Sequence, residues 1–304
     1  MTTQEKARMM HLGYNTWSMP MLSLEDAAKH CGSLGYDCLE LTVSEGWPTD
    51  VLKMDSGDAA RWKSIVEGNG LRLSSLTGNT PILVDEEAWQ IAMDRIVRSL
   101  ALAADLQEST YGVPVSIGAS LPKDDSGVFM RLDVTNQWDD YRELVIERIG
   151  ILAERARTIG AKLVLESHVS TVVSSPERAK YVIETVDSEA LGINLDISHF
   201  DVQGMSIPEV VRELGPLAVV SEVKDERGTV PDFEFLIPGE GDFDYVGYLR
   251  EMDAVGYQGT VSVEISLMRQ AKDDYDPYAA AERSYSVLSD AFEAAGIQRP
   301  SSRS

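Results

Sequence analysis

Four acids stand where short apolar runs end: Glu166 after Leu163-Val164-Leu165, Asp196 after Ile193-Asn194-Leu195, Glu222 after Val219-Val220-Ser221, and Glu264 after Val261-Ser262-Val263. Runs this short and this rich in branched residues read as buried parallel strands, so each acid marks a strand's C-terminal end. Carboxylates gathered from four strand ends repel one another unless a cation lies among them or some hold a proton. Oxygen-only donors suit one hard divalent ion, Mn²⁺ or Mg²⁺, ahead of Co²⁺ or Zn²⁺. Taken singly, each acid could equally cap a strand and face water. Four strands ending alike point to one shared centre. His168 and His199 also sit just beyond strand ends, as substrate contacts or as structural imidazoles, and Lys224 and Arg227 follow Glu222 closely.

The elements that must carry these residues alternate along the chain. Strands are expected at 11–17, 36–43, 71–76, 110–117, 163–168, 191–196, 217–224 and 260–265. Helices fall between them, marked by Ser23, Ser175 and Ser206 as N-caps, by Pro176 at a first helical position, and by Gly35 and Gly160 at the ends. Two long polar stretches interrupt the rhythm, 118–137 and 227–241, and the first has the length of a lid or binding loop. Eight strands alternating with helices predict an α/β fold, a single (β/α)₈ TIM barrel over residues 11–296. A polar tail (1–10) precedes it and a disordered tail (297–304) follows. A doubly wound sheet would gather its ligand at one switch point, often with a Gly-rich turn, and no early turn here has that fingerprint.

Composition narrows the function. The chain has 304 residues, 43% hydrophobic and 25% charged, with no apolar run long enough to span a membrane and no secretory apolar core at its start. A cytoplasmic protein is expected. The formal net charge of −23 opposes phosphate backbones and anionic lipid, so neither nucleic acid nor membrane is an expected partner. A small neutral or metal-bridged molecule is. Cys31 and Cys38 are too few for a zinc knuckle or a disulfide scaffold and read as buried thiols.

The motifs Leu-Glu-Ser-His (165–168), Asp-Ile-Ser-His (196–199), Val-Lys-Asp (223–225), Pro-Gly-Glu-Gly-Asp-Phe-Asp (238–244) and Gly-Tyr-Gln-Gly-Thr-Val-Ser-Val-Glu (256–264) resemble those of the xylose-isomerase-like barrels, the sugar isomerase/epimerase superfamily. The resemblance covers residues 11–294. It implies that Glu166, Asp196 and Glu264 bind a divalent metal and that His199 contacts substrate. It also implies that Glu166 and Glu264 move the proton next to a metal-bound carbonyl, through an enediolate. One departure stands out: Glu222 occupies the place where relatives carry a metal-binding histidine, and it is expected to complete an all-carboxylate shell. Lys224 and Arg227 are placed to hold negative charge on substrate, with His168 as a further contact. Trp17, at the end of strand one, is either a wall against a sugar face or a core residue.

The expected function is therefore a metal-dependent isomerase or epimerase of a keto-sugar or polyol derivative. The alternative is a lyase or dehydratase acting by β-elimination on an oxidised (3-keto) sugar or glycoside, possible with a partner subunit. A DNA-repair role, found elsewhere in this superfamily, is opposed by the charge of −23 and by only four histidines. A non-catalytic binding subunit would lack stoichiometric metal. The Ala/Tyr-rich last helix suggests a homo-oligomer.

Overall fold

Short strand runs such as Leu163–Glu166 and Leu191–Asp196 are buried at nearly every position, and the chain covers both of their faces by closing them into a ring. In the computed structural model, which describes residues 9–20, 22–78, 80–106, 113–122 and 131–300, eight parallel strands form a closed barrel. They are β1 (His11–Asn15), β2 (Cys38–Thr42), β3 (Arg72–Thr77), β4 (Val115–Gly118), β5 (Leu163–Glu166), β6 (Leu191–Asp196), β7 (Ala218–Val223) and, as the eighth, β10 (Thr260–Val263). Between the last two lies an antiparallel hairpin, β8 (Asp225–Thr229) and β9 (Asp232–Leu236). β10 pairs with β1 to close the ring, His11 opposite Thr260.

The helices are α1 (Leu24–Leu34), α2 (Asp58–Gly68), α3 (Glu86–Asp105), α4 (Trp138–Ile159), α5 (Pro176–Val186), α6 (Ser198–Asp201), α7 (Ile207–Leu214), α8 (Tyr245–Ala254), α9 (Leu267–Gln270) and α10 (Pro277–Ala295). The starts follow the expected chemistry: the Ser23 and Ser175 side chains accept from Asp26 and Arg178 backbone N–H groups. α1 and α4 end on Gly35 (φ 100°) and Gly160 (φ 81°), left-handed conformations that a Cβ would oppose. Helix faces and strand exteriors then share one core, from Leu12 and Leu39 to Leu288 and Phe292. Among the described residues no helix is long and apolar enough to cross a membrane.

Three expectations change. The polar stretch 227–241 contains the hairpin β8–β9, because Phe233 and Phe235 alternate with polar residues and Gly228 (φ 78°) allows the tight return. The tail after 296 is not loose at its start. Met9 pairs with Gln298, and Arg299 forms an ion pair with Asp37 at 2.9 Å and donates to the Gly35 carbonyl at 2.6 Å. The fourth strand runs over 115–118, and residues 110–112 expected to begin it lie outside the described set, as do 107–109, 123–130 of the expected lid, 1–8 and 301–304. Residues 132–137 of that stretch form a 3₁₀ turn leading into α4.

Candidate active site

Side chains alternate in and out along a strand, so residues two apart enter the barrel one layer above the other. On β6 these are Asn194 and Asp196; on β7 and just beyond it, Glu222 and Lys224; on and just beyond β10, Ser262 and Glu264. The register sets Asp196 beside Glu222 and Glu222 beside Ser262, while Glu166 pairs with Asn194. The strand-end acids thus converge on one mouth, where a barrel's functional groups gather.

Three of them meet closely. Glu166, Asp196 and Glu222 each present an oxygen within 4.8 Å of the others. Glu264 stands outside that trio and is joined to it by Lys224, whose ammonium lies 3.1 Å from Glu264 Oε2 and donates to Asp196 Oδ2. His199 Nε2 sits 3.2 Å from Asp196 Oδ2 and 3.4 Å from Glu166 Oε1. Glu222 is held from below: Asn15 Nδ2 donates to its Oε1 at 2.8 Å and Asn194 Nδ2 to its Oε2 at 2.5 Å.

Burial sets the protonation of this cluster. It would raise Asp196, but Lys224 and His199 overcome it and hold Asp196 well below the usual carboxylate range. Burial would lower Lys224, yet Asp196 and Glu264 keep it raised and charged. Burial, helped by Glu166 and Asp196 and opposed by Lys224, pushes Glu264 up to about 7. Glu222 is raised by burial and by Glu40, Glu264 and Glu166. Burial lowers His199 less than Asp196 and Glu166 raise it. His168 is lowered well below the ordinary range by burial and then by His199, whose ring lies 3.7 Å away.

A second grouping, Glu166, His168 and His199, also falls within 4.8 Å. It suits a metal less well. The Ser170 backbone N–H donates to His168 Nδ1 at 3.0 Å, so the proton of the neutral ring sits on Nε2 and no lone pair there is free for a metal. The all-carboxylate trio fits a hard divalent ion: its donors are oxygens, they converge, and two cationic side chains leave the acids under-neutralised.

The remaining expected residues divide. Trp17 stacks on Trp47, ring centroids 4.4 Å apart and planes 10° from parallel, both half-buried near the ends of β1 and β2. Arg227 does not join the cluster. It is exposed on the hairpin and donates to the Glu240 carbonyl, because β8 turns this side chain away from the face that carries Glu226. Arg269, on α9, bonds Glu240 at 3.1 Å and Asp274 at 2.8 Å.

Sequence reasoning missed Glu40, Asn15 and Asn194. Glu40 is fully buried on β2, raised to about 7 by burial, with the Ser75, Glu222 and Ser262 side chains beside it and no hydrogen-bond partner for either oxygen. The signal was present as one acid inside the run Cys38-Leu39-Glu40-Leu41, and as Asn194 two residues before Asp196.

Comparison with known proteins agrees with this architecture. The family model for the xylose isomerase-like TIM barrel matches residues 27–288. The inosose isomerase of Bacillus subtilis (strain 168) is 25% identical over 133 residues, 42% of this chain and 48% of that protein. The chain spans about half the length of the curated relatives it matches. A xylose isomerase-like TIM barrel protein from Mycobacterium smegmatis, solved in complex with magnesium, aligns at TM-score 0.69 and 19% identity, covering 97% of this chain and 100% of that one. D-psicose 3-epimerase from Clostridium cellulolyticum H10, solved with D-tagatose, aligns at TM-score 0.73 and 15% identity, covering 94% and 99%. At such identities the two structures speak for the fold. The chain belongs to the xylose isomerase-like TIM barrel family.

Proposed function

We propose that this xylose isomerase-like barrel is a divalent-metal-dependent isomerase or epimerase of a keto-sugar or polyol derivative. The observation that carries the reading is the pair Glu166 and Glu264, from strands three apart around the ring, with Asp196, Lys224 and His199 between them. Glu264 at about 7 is poised to take a proton near neutral pH, where a general base works best. The names of the relatives, an inosose isomerase and a 3-epimerase, support the same class. Nothing in the site favours the lyase alternative.

Glu166, Asp196 and Glu222 would hold the ion, and Lys224 links Glu264 to Asp196 of that trio. An ion held there would supply Lewis acidity toward a substrate carbonyl and so acidify the adjacent C–H. Glu264 then removes that proton, and the electron pair moves into the carbonyl to give an enediolate. Lys224, cationic among the carboxylates, holds the developing negative charge, and His199, whose proton affinity Asp196 and Glu166 raise, stands beside it. Return of a proton on the opposite face falls to Glu166, three strands around the ring from Glu264. His168, neutral with its proton on Nε2, donates to a substrate hydroxyl. Trp17, backed by Trp47, offers a flat apolar wall to a sugar ring.

The test is proton exchange. Protein loaded with Mn²⁺ and incubated with keto-hexoses or inososes in D₂O is expected to give an isomer or epimer one mass unit heavier. Glu264→Gln should slow that exchange by about 10²–10⁴-fold, the usual worth of a positioned acid or base. A product lighter by one water, or no deuterium uptake across the substrate panel, would refute the assignment.

A further inference from the structure

The trio Glu166, Asp196 and Glu222 comes from three neighbouring strands, yet Glu222 is gripped from outside them. The Asn15 Nδ2 that donates to its Oε1 at 2.8 Å belongs to the last residue of β1. β10 lies between β1 and β7. Its residue beside Glu222 in the register is Ser262, small and fully buried, which leaves the Asn15 side chain room to reach across. Asn15 is itself fully buried.

An amide can turn either end toward a carboxylate, and only the NH₂ end attracts it. At Asn15 the choice is forced. Its Oδ1 accepts from the Trp17 backbone N–H at 2.9 Å and from the Thr42 hydroxyl at 3.2 Å. A backbone N–H can only donate, so the oxygen must face Trp17 and the NH₂ must face Glu222. Asn194, the second donor to Glu222, has no such lock, because its Oδ1 has no hydrogen-bond partner among the described residues.

The far end of this lever is held firmly. Trp17 lies in the 3₁₀ turn Thr16–Ser18, which is tied to the segment following β10. Gln270 Nε2 donates to the Trp17 carbonyl at 3.1 Å, and the Ile265 backbone N–H donates to Ser18 Oγ at 2.7 Å. The Tyr275 hydroxyl donates to the Ser18 carbonyl. Ile265 directly follows Glu264. The turn therefore fixes the backbone next to Glu264 and, through Asn15, the carboxylate of Glu222.

We propose that Asn15 is a positioning residue: anchored on the Trp17 turn, its NH₂ aims the Glu222 carboxylate as a metal ligand, a role that rests on Glu166, Asp196 and Glu222 being the metal-binding trio of the proposed isomerase. Buried below the mouth, Asn15 acts through Glu222 and not on the ion itself. A donor held on one oxygen keeps the carboxylate from turning about its last bond and favours the ionised form, which binds a cation.

The test is a double-mutant cycle read as Mn²⁺ affinity, by calorimetric titration of chelator-treated protein. Asn15→Leu removes the donor at similar volume. Asn15→Ser removes it too, since the shorter side chain does not span the gap to Glu222, but its hydroxyl can still accept from the N–H two residues on. Both variants should bind Mn²⁺ about 10–100-fold more weakly than the native protein, the usual effect of losing a group that orients a ligand. In the Glu222→Gln background the same substitutions should change the affinity by no more than about twofold. Native-like affinity in Asn15→Ser would overturn the proposal, and so would an undiminished loss in the Glu222→Gln background. If Asn15→Leu fails to fold, Asn15→Ser carries the cycle alone. A native protein that binds no Mn²⁺ would refute the metal-binding trio itself, and the role of Asn15 with it.

Discussion

Glu40 allows a direct test of the electrostatics. Its carboxyl is fully buried with no donor bonded to either oxygen, and burial raises it from 4.5 to about 7. A group whose folded pKa lies above its unfolded value binds its proton more tightly when folded. Its contribution to stability is therefore complete below pH 4.5 and is lost as pH rises through about 7. The full window is about 3 kcal/mol at 1.36 kcal/mol per unit, and about 2.5 kcal/mol of it falls between pH 5 and pH 8.5. Glu40→Gln keeps the shape and removes the titration. Urea unfolding of chelator-treated protein at the two pH values should show the native protein losing about 2.5 kcal/mol more than the variant. Glu222 and Glu264 are coupled to Glu40, so any change in their own titration is part of the difference that the comparison reads. Parallel pH profiles would show that Glu40 titrates alike folded and unfolded, and the account of the inner layer would be wrong.

Lys224→Met removes the ammonium from between Asp196 and Glu264 and should lower stability by about 3–5 kcal/mol in denaturant titrations at pH 7, the usual effect of leaving a buried charge unpaired; a loss below 1 kcal/mol would mean the lysine does not neutralise them. Mn²⁺ at about 100 times its dissociation constant should stabilise the protein by about 2.7 kcal/mol, with Glu222→Gln weakening the affinity at least tenfold. Unchanged affinity in that variant would remove Glu222 from the metal shell and leave it to its Asn15 and Asn194 bonds. Trp17→Ala should raise KM on the order of fivefold, about 1 kcal/mol of ring contact, with kcat little changed; a matching fall in kcat would make the Trp17–Trp47 pair part of the scaffold that positions the acids.

The barrel was legible because strand runs, caps and terminal glycines recur in step, and closure follows from runs apolar on both faces. The mouth was legible for a related reason: an acid at the end of an apolar run has few places to go except the common rim. What stayed hidden needed register or direction. Glu40 lies mid-strand, and only the closed ring shows that it faces Glu222. Arg227 follows Lys224 by three residues, yet the start of a hairpin between them turns it outward. Arg299 looked like part of a loose tail until Asp37, distant in sequence, was seen to hold it.

Charge balance inside the ring ties these observations together. A barrel of this kind normally fills its interior with branched apolar side chains. Here Glu40, Glu166, Asp196, Glu222 and Glu264 enter it against Lys224 and His199, five acids against two cations, a deficit of three charges if all are ionised. The pushes on Glu40 and Glu264 to about 7, and on Glu222 above the usual range, express that deficit as protons. One divalent ion at the Glu166–Asp196–Glu222 trio cancels two of the three charges, and a single proton cancels the last. Glu40 and Glu222, which lie against each other and are both raised, share that proton as a coupled pair. Metal binding must then expel protons from the mouth, so affinity should rise with pH from 5 to 8. It should rise less steeply in Glu264→Gln, where one of the displaceable protons is gone. An affinity independent of pH across that range would mean that the acids are already ionised without the metal, and that some other group balances them.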